Sequence, residues 1–291
     1  MFKAGKNPYC VPYDGSFRVA RAPTEVAKKH RIGKKDAKKR LADLVEEIND
    51  YQQILWARDT RSILLVFQAM DAAGKDGTIR AVLTGVNPAG CEVHSFKQPS
   101  SLELDHDFLW RTALRAPERG MIGVFNRSYY EEVLVVRVHP GILDGQQLPY
   151  PIDLDAIWEE RFASIRNYEK HLARNGTVIL KFWLNVSKTE QRRRFLARLD
   201  EPEKNWKFSS ADLDERGYWD DYMQAYEEAL NATSRPWAPW YAIPADDKPN
   251  MRVAVAEILR NTLHSFDLKY PEVDEKERAR FNEMRALLEG D

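Results

Sequence analysis

The strongest constraint on this chain is a rhythm. Five short apolar runs, Ile63 to Gln68, Cys91 to Phe96, Met121 to Asn126, Val178 to Leu184 and Trp240 to Ile243, are each separated by enough chain for a helix. Runs this short and this apolar read as strands buried on both faces, and parallel strands need long crossovers between them. The pattern predicts an α/β fold, a five-stranded parallel sheet between two layers of helices. None of the runs approaches the roughly 18 apolar residues of a membrane span. With 291 residues, 43% of them apolar, the chain can bury a sizeable core, which excludes a disordered chain or a disulfide-stapled mini-protein. Its two cysteines, Cys10 and Cys91, have no CxxC partner, so a cysteine-built zinc site is excluded and a reducing, cytoplasmic setting is expected.

The intervening stretches carry helical spacing. Leu41, Leu44, Val45, Ile48, Tyr51, Ile54 and Leu55 describe an amphipathic helix of about five turns. Further helices are expected at Leu102 to Leu114, Tyr129 to Val138, Asp153 to Ala173, Lys188 to Leu199 and Leu213 to Leu230. In the last of these Trp219, Tyr222, Tyr226 and Leu230 share one face, a core stripe. Residues 1–33, with Pro8, Pro12 and Pro23 and no apolar period, read as an extended N-terminal arm ahead of a single domain over 34–291.

Net charge is close to zero, with 44 Lys and Arg against 45 Asp and Glu. That average hides an asymmetry: Lys28 to Arg40 carries eight basic residues and one acidic, whereas Tyr241 to Asp291 carries eleven acidic and eight basic. The basic run is either a solvated helix face or a contact for a polyanion.

Chemistry concentrates after the first strand, in Gln68-Ala-Met-Asp-Ala-Ala-Gly-Lys-Asp-Gly-Thr78. A phosphate-binding loop needs glycine where the backbone turns, a lysine beside it and a helix N-terminus with free N–H groups. Ala72, Ala73, Gly74, Lys75, Asp76, Gly77 and Thr78 supply that arrangement. Two departures stand out: Ala69 replaces the first glycine, and Asp76 replaces the hydroxyl that normally meets magnesium. Asp71 and Asp76 would repel a phosphate unless a divalent cation lay between, although both also suit a turn and a helix start. The third strand ends in Asn126-Arg127-Ser128, with Glu131 a turn later. Arg127 is placed to fork onto a phosphoryl group and Glu131 to bind metal or orient Arg127, while Ser128 suits a helix cap. A third cluster, Arg194 and Arg198 one helical turn apart followed by Lys204 and Lys207, reads as a basic lid or as a Glu/Arg-laced surface helix.

Four ordered blocks, Met70 to Arg80, Gly85 to Ser100, Phe125 to His139 and Arg198 to Arg216, resemble the signature blocks of the type-2 polyphosphate kinases, and the resemblance runs from about residue 35 to 265. It implies a P-loop kinase fold with a helical lid at about 187–215, and reversible phosphoryl transfer between inorganic polyphosphate and nucleotides. Dependence on Mg²⁺ is implied too, with Mn²⁺ a possible substitute. Asp71, Lys75 and Arg127 take the catalytic positions, Asp71, Asp76 and Glu131 the metal positions, and Arg194, Arg198, Lys204 and Lys207 the lid. Arg80, Lys97, Arg111 and Arg137 are candidates for a track holding the remaining polymer. Many members have Asp where this chain has Asn126, and Asn where it has Glu131. That pair resembles the subgroup acting on nucleoside mono- and diphosphates, so AMP and ADP are the expected acceptors. The expected partners are polyphosphate and adenine or guanine nucleotides, not nucleic acid or a membrane, in a homodimer or homotetramer with Leu41 to Leu55 as a contact helix. An ATP-dependent nucleotide kinase, or a nucleic-acid or phosphate-polymer binding protein without turnover, would share many of these features.

Overall fold

The computed structural model describes residues 1–149 and 151–290. Its centre is a five-stranded parallel sheet in the order β2-β3-β1-β4-β5, built from β1 (Ser62–Gln68), β2 (Cys91–Ser95), β3 (Ile122–Asn126), β4 (Thr177–Asn185) and β5 (Trp240–Pro244). Every predicted strand is present to within a residue or two. Each residue of β1, β4 and β5 is buried, which is why these segments read as unbroken apolar runs instead of alternating ones.

Helix α1 (Lys34–Arg58) is longer than its apolar period, because the basic run forms its first turns. It buries Leu44, Val45, Ile48 and Leu55 against the body of the chain, chiefly α10 (Lys248–His264). The stripe expected to join subunits is thus used inside the chain. Helix α2 (Lys75–Leu83) follows the loop after β1, α6 (Ile157–Arg174) covers β4, and α7 (Lys188–Asp200) rises from its end. The predicted Leu102 to Leu114 helix is instead two single turns, α3 (Ser101–Leu104) and α4 (Trp110–Ala113), since a Ser100 capping box starts the first and the Asp107 carboxylate turns the chain before the second. Tyr129 to Val138 is a 3₁₀ segment, Tyr129–Val133, and a short α5 (Val135–Val138). The segment 213–230 divides into α8 (Ala211–Gly217) and α9 (Trp219–Thr233), and in α9 Trp219, Tyr222, Tyr226 and Leu230 are buried as the stripe required. Helix α11 (Glu275–Glu289) buries none of its side chains.

The N-terminal arm is extended but docked. Val11 N–H donates to the Trp240 carbonyl at 2.9 Å and Ala242 N–H to that of Tyr9 at 2.8 Å, an antiparallel bridge that covers the free edge of β5. Val11 and Val26 are buried, and Phe17 meets Trp183 edge to face.

Beneath the sheet, Lys181 of β4 is fully buried. Its ammonium donates to Glu169 at 2.6 Å, to the Tyr130 hydroxyl and to the Thr233 carbonyl, while the hydroxyls of Tyr129 and Tyr130 donate to the other Glu169 oxygen. Every charge in this network has a partner, as burial requires. It ties the segment after β3 to the floor of the sheet.

Candidate active site

Parallel α/β sheets present ligands to the carboxyl ends of their strands, and the functional side chains converge there. Between β1 and α2 the backbone turns through two left-handed residues, Ala72 (φ 59°) and Gly74 (φ 108°). Only glycine adopts the second angle without strain, and a Cβ on Gly74 would sit 3.4 Å from Met251 Cε. The turn aims the first N–H groups of α2 into the crevice. Lys75 opens the helix and folds back, its ammonium donating to the Ala69 carbonyl at 2.9 Å. Burial, and the Arg127 guanidinium nearby, lower the Lys75 amine to about 8, against the attraction of Asp71, Glu131 and Asp76. Thr78 does not reach the crevice: it is buried, and its hydroxyl donates to the Gly74 carbonyl, so it braces the loop. Ala73 is buried as well.

Arg127 adopts φ 63°, a left-handed angle for a branched-out side chain at a strand end, which aims its fork back across the loop. One nitrogen pairs with Asp71 and another with Glu131, both at 2.8 Å. Glu131 above all, with Asp71, raises the Arg127 pKa, so the cation is permanent. Ser128 caps the following segment by accepting from Tyr130 N–H, as its position predicted, and also accepts from Gln68. Asn126 donates to Asp76 at 2.6 Å.

The lid residues divide in two. Arg194, at 5% exposure, donates to the carbonyls of Ala73 (2.6 Å), Ala72 (3.0 Å) and Ala245 (2.5 Å) and to Glu190. Those donors hold α7 against the loop and β5, so Arg194 shapes the cradle while also lining the crevice. Gln191 adds a bond to the Asp71 carbonyl. One turn on, Arg198 faces the crevice with Lys204 and Lys207. Arg198 meets Asp212 at 2.9 Å and the Lys207 carbonyl at 3.1 Å; Lys204 pairs with Glu201; Lys207 lies over the Trp206 ring.

The crevice has a volume of about 560 Å³ and is lined by ten cationic side chains against three carboxylates. Arg193, Lys248 and Arg252 were missed by sequence reading. The last two stand at the start of α10, whose Asp247-Lys248-Pro249 opening is a legible cap signal. Of the proposed track, Lys97 lines the crevice and Arg80 an adjoining groove beside Asp76 and Asn126. The structure does not bring the other two there. Arg111 lies over Phe96 and donates to the Lys97 carbonyl, and Arg137 pairs with Glu228 over Trp158. Nor do Asp71, Asp76 and Glu131 converge: among the described residues no three Asp, Glu, His or Cys side chains are grouped to hold a metal. Among those residues, too, no helix is long and apolar enough to cross a membrane.

A glycine-turned anion cradle at the carboxyl end of a parallel sheet, with a basic lid helix above it, defines a phosphotransferase of the P-loop kinase class. The family model described as polyphosphate kinase 2 matches residues 31–271. A protein from Rhodopseudomonas palustris named ADP-polyphosphate phosphotransferase is 58% identical over 245 residues, covering 84% of this chain and 85% of that one. One from Meiothermus ruber, named AMP/ADP-polyphosphate phosphotransferase, is 44% identical over 264 residues, 91% of this chain and 95% of the other. The crystal structure of polyphosphate kinase 2 from Arthrobacter aurescens TC1 superposes with a TM-score of 0.89 at 38% identity, covering 100% of this chain and 99% of that chain. The chain belongs to the polyphosphate kinase 2 family.

Proposed function

We propose that the protein moves phosphoryl groups reversibly between inorganic polyphosphate and nucleotides, converting AMP to ADP and ADP to ATP. The observation that carries this reading is the charge of the crevice. Ten cations around one cradle exceed what a single nucleotide's phosphates would neutralise, whereas a polymer of phosphates carries a charge at every unit. The family assignment supports the same reaction. For the acceptor, Asn126 in place of a carboxylate and the name of the Meiothermus ruber relative support a dual role.

In the reaction an acceptor phosphate oxygen forms a bond to the terminal phosphorus of the polymer, the bridging P–O bond breaks, and the shortened chain leaves with the electron pair. The acceptor oxygen is already anionic, so no strong base is required. Lys75 and the N–H groups of the loop hold phosphate oxygens at the end of α2. Arg127 fixes the line of transfer with its planar fork, and Arg198, Lys204 and Lys207 neutralise the spreading charge as the lid excludes water. Asp71 and Asp76 both line the crevice and would hold a Mg²⁺ ion, which commonly binds through one or two carboxylates, while Glu131 would act through its pairing with Arg127. When bound, Mg²⁺ supplies charge neutralisation between phosphate groups. Mn²⁺ fits the same oxygen donors. The protein acts in the cytoplasm as a homodimer or homotetramer, without a nucleic-acid or membrane partner.

The test is an incubation of purified protein with Mg²⁺, long polyphosphate and either AMP or ADP, following ADP and ATP. No product from either acceptor refutes the reading, and product from ADP alone or AMP alone refutes the dual acceptor. An ATP-dependent nucleotide kinase would need a nucleoside triphosphate, and chelation with excess EDTA should abolish turnover.

A further inference from the structure

Arg198 lines the crevice, and its guanidinium is engaged by the chain's own groups. Its Nη1 lies 2.9 Å from Asp212 Oδ2 and 3.1 Å from the Lys207 carbonyl, and the two side chains of this pair are about one-fifth exposed. Asp212 sits on α8, a helix fastened to the body from its other side. Glu215 accepts from the Tyr222 hydroxyl at 2.5 Å and lies 3.0 Å from His139 Nε2, and Arg216 donates to Gln191 and to the Lys188 carbonyl. Arg216 thus joins α8 to α7 itself, so Asp212 and Arg198 face each other from two helices braced together. Asp212 also looks toward the catalytic loop: burial and the charge of Asp71 both raise its pKa, against the pull of Arg198 and Arg127. A carboxylate in that setting holds its charge at a cost.

We infer that Asp212 is a positioning residue that occupies Arg198 in place of a phosphate until polyphosphate arrives, and that the polymer must take the guanidinium from it. The carboxylate presents oxygens to the fork as a phosphate does, so Arg198 is kept ordered at the crevice and its charge is masked. Short or weakly charged anions compete poorly against a tethered carboxylate, whereas a polyanion engaging several lid cations together displaces it. Polyphosphate affinity is thus set below the maximum that the lid cations allow, and release of the shortened chain is assisted by the returning carboxylate.

This inference rests on Arg198 being a phosphate ligand, and the experiment separates the two. Equilibrium binding of long polyphosphate, without nucleotide, is measured for wild type, Asp212→Asn, Arg198→Gln and the double variant, with folding of each checked by circular dichroism. Arg198→Gln should weaken binding; if it does not, the reading of Arg198 fails on its own. Asp212→Asn should tighten binding about two- to fivefold, the range of a partly exposed ion pair. The double variant should bind like Arg198→Gln alone, because the gain acts through the guanidinium. An unchanged or weakened affinity in folded Asp212→Asn overturns the inference. So does an equal gain in the Arg198→Gln background, which would reduce Asp212 to a general negative charge.

Discussion

The depressed pKa of Lys75 makes a sharp prediction about pH. The ammonium is partly withdrawn from water and faces Arg127, and its pKa is about 8 in place of 10.5. At pH 7 about nine-tenths of free protein then carries the Lys75 charge, and at pH 9 about one in eleven molecules, a roughly tenfold loss of the competent form. The kcat/KM for polyphosphate, measured at a fixed subsaturating ADP concentration, should therefore fall about tenfold between pH 7 and 9, with a midpoint near 8. Phosphate in the cradle favours the charged form, so kcat should hold to a higher pH than kcat/KM. Lys248 is also lowered to about 8, chiefly by burial and then by Arg194, and has to be separated. In Lys248→Met the limb should survive. In Lys75→Arg, whose guanidinium does not titrate, activity should drop but the limb near 8 should vanish. A flat kcat/KM to pH 9.5 in wild type, or an unchanged limb in Lys75→Arg, would refute the argument. Stability runs the other way. A lysine with a lowered folded pKa binds fewer protons than its unfolded form between 8 and 10.5, so its contribution to stability rises across that window.

Four further outcomes test the remaining assignments. Arg127→Lys, which keeps charge but loses the fork to Asp71 and Glu131, should lower kcat by about two orders of magnitude in a steady-state assay with little change in melting temperature. Arg194→Met should leave the carbonyls of Ala72, Ala73 and Ala245 without a donor and destabilise the fold by about 3 kcal/mol, visible as a melting temperature lower by roughly 6 °C or more. Lys181→Met should cost about 3 to 5 kcal/mol in a denaturant titration by stranding Glu169, and Lys181→Met with Glu169→Gln should recover much of that loss. Gly74→Ala should forfeit activity through its φ of 108°, and normal turnover would show that the loop relaxes freely.

The sheet was legible because five strands buried on both faces leave a continuous apolar signature, and α7 was legible to within a residue from Lys188 onward. Where helices were misjudged, local bonding overrode the periodicity. The carboxylate of Asp107 accepts from Leu109 N–H and breaks 102–114, and the Ser128 cap sets up a 3₁₀ turn in place of α-helix. The loop, Arg127 and the basic lid were readable as a phosphate site from residue type and order. The division of labour within the site was not readable. Arg194 and Arg198 are equivalent in sequence, one turn apart, and both line the crevice, yet one commits its donors to backbone carbonyls of the loop and β5 and the other to Asp212 and the Lys207 carbonyl. Only the fold, which brings Ala73 and Ala245 beneath α7, makes them different. Lys248 and Arg252 were lost for a related reason, since α10 reaches the site from the far end of the chain.

The docked arm has a consequence for how the molecule is made. Residues made early take their place against residues made much later: the Val11 carbonyl accepts from the Ser234 hydroxyl across 223 positions, and the arm's backbone pairs with β5 beyond it. During synthesis the segment around Tyr9 to Val11 therefore waits for its partners, and the outer edge of the sheet closes only after β5 has emerged. Contacts so distant in sequence slow folding, and until they form the outer edge of β5 is open to other strands. A fusion at the N-terminus that hinders Tyr9 to Val11 should lower soluble yield at fast expression temperatures, while the assembled protein, once closed, keeps its phosphate crevice unchanged.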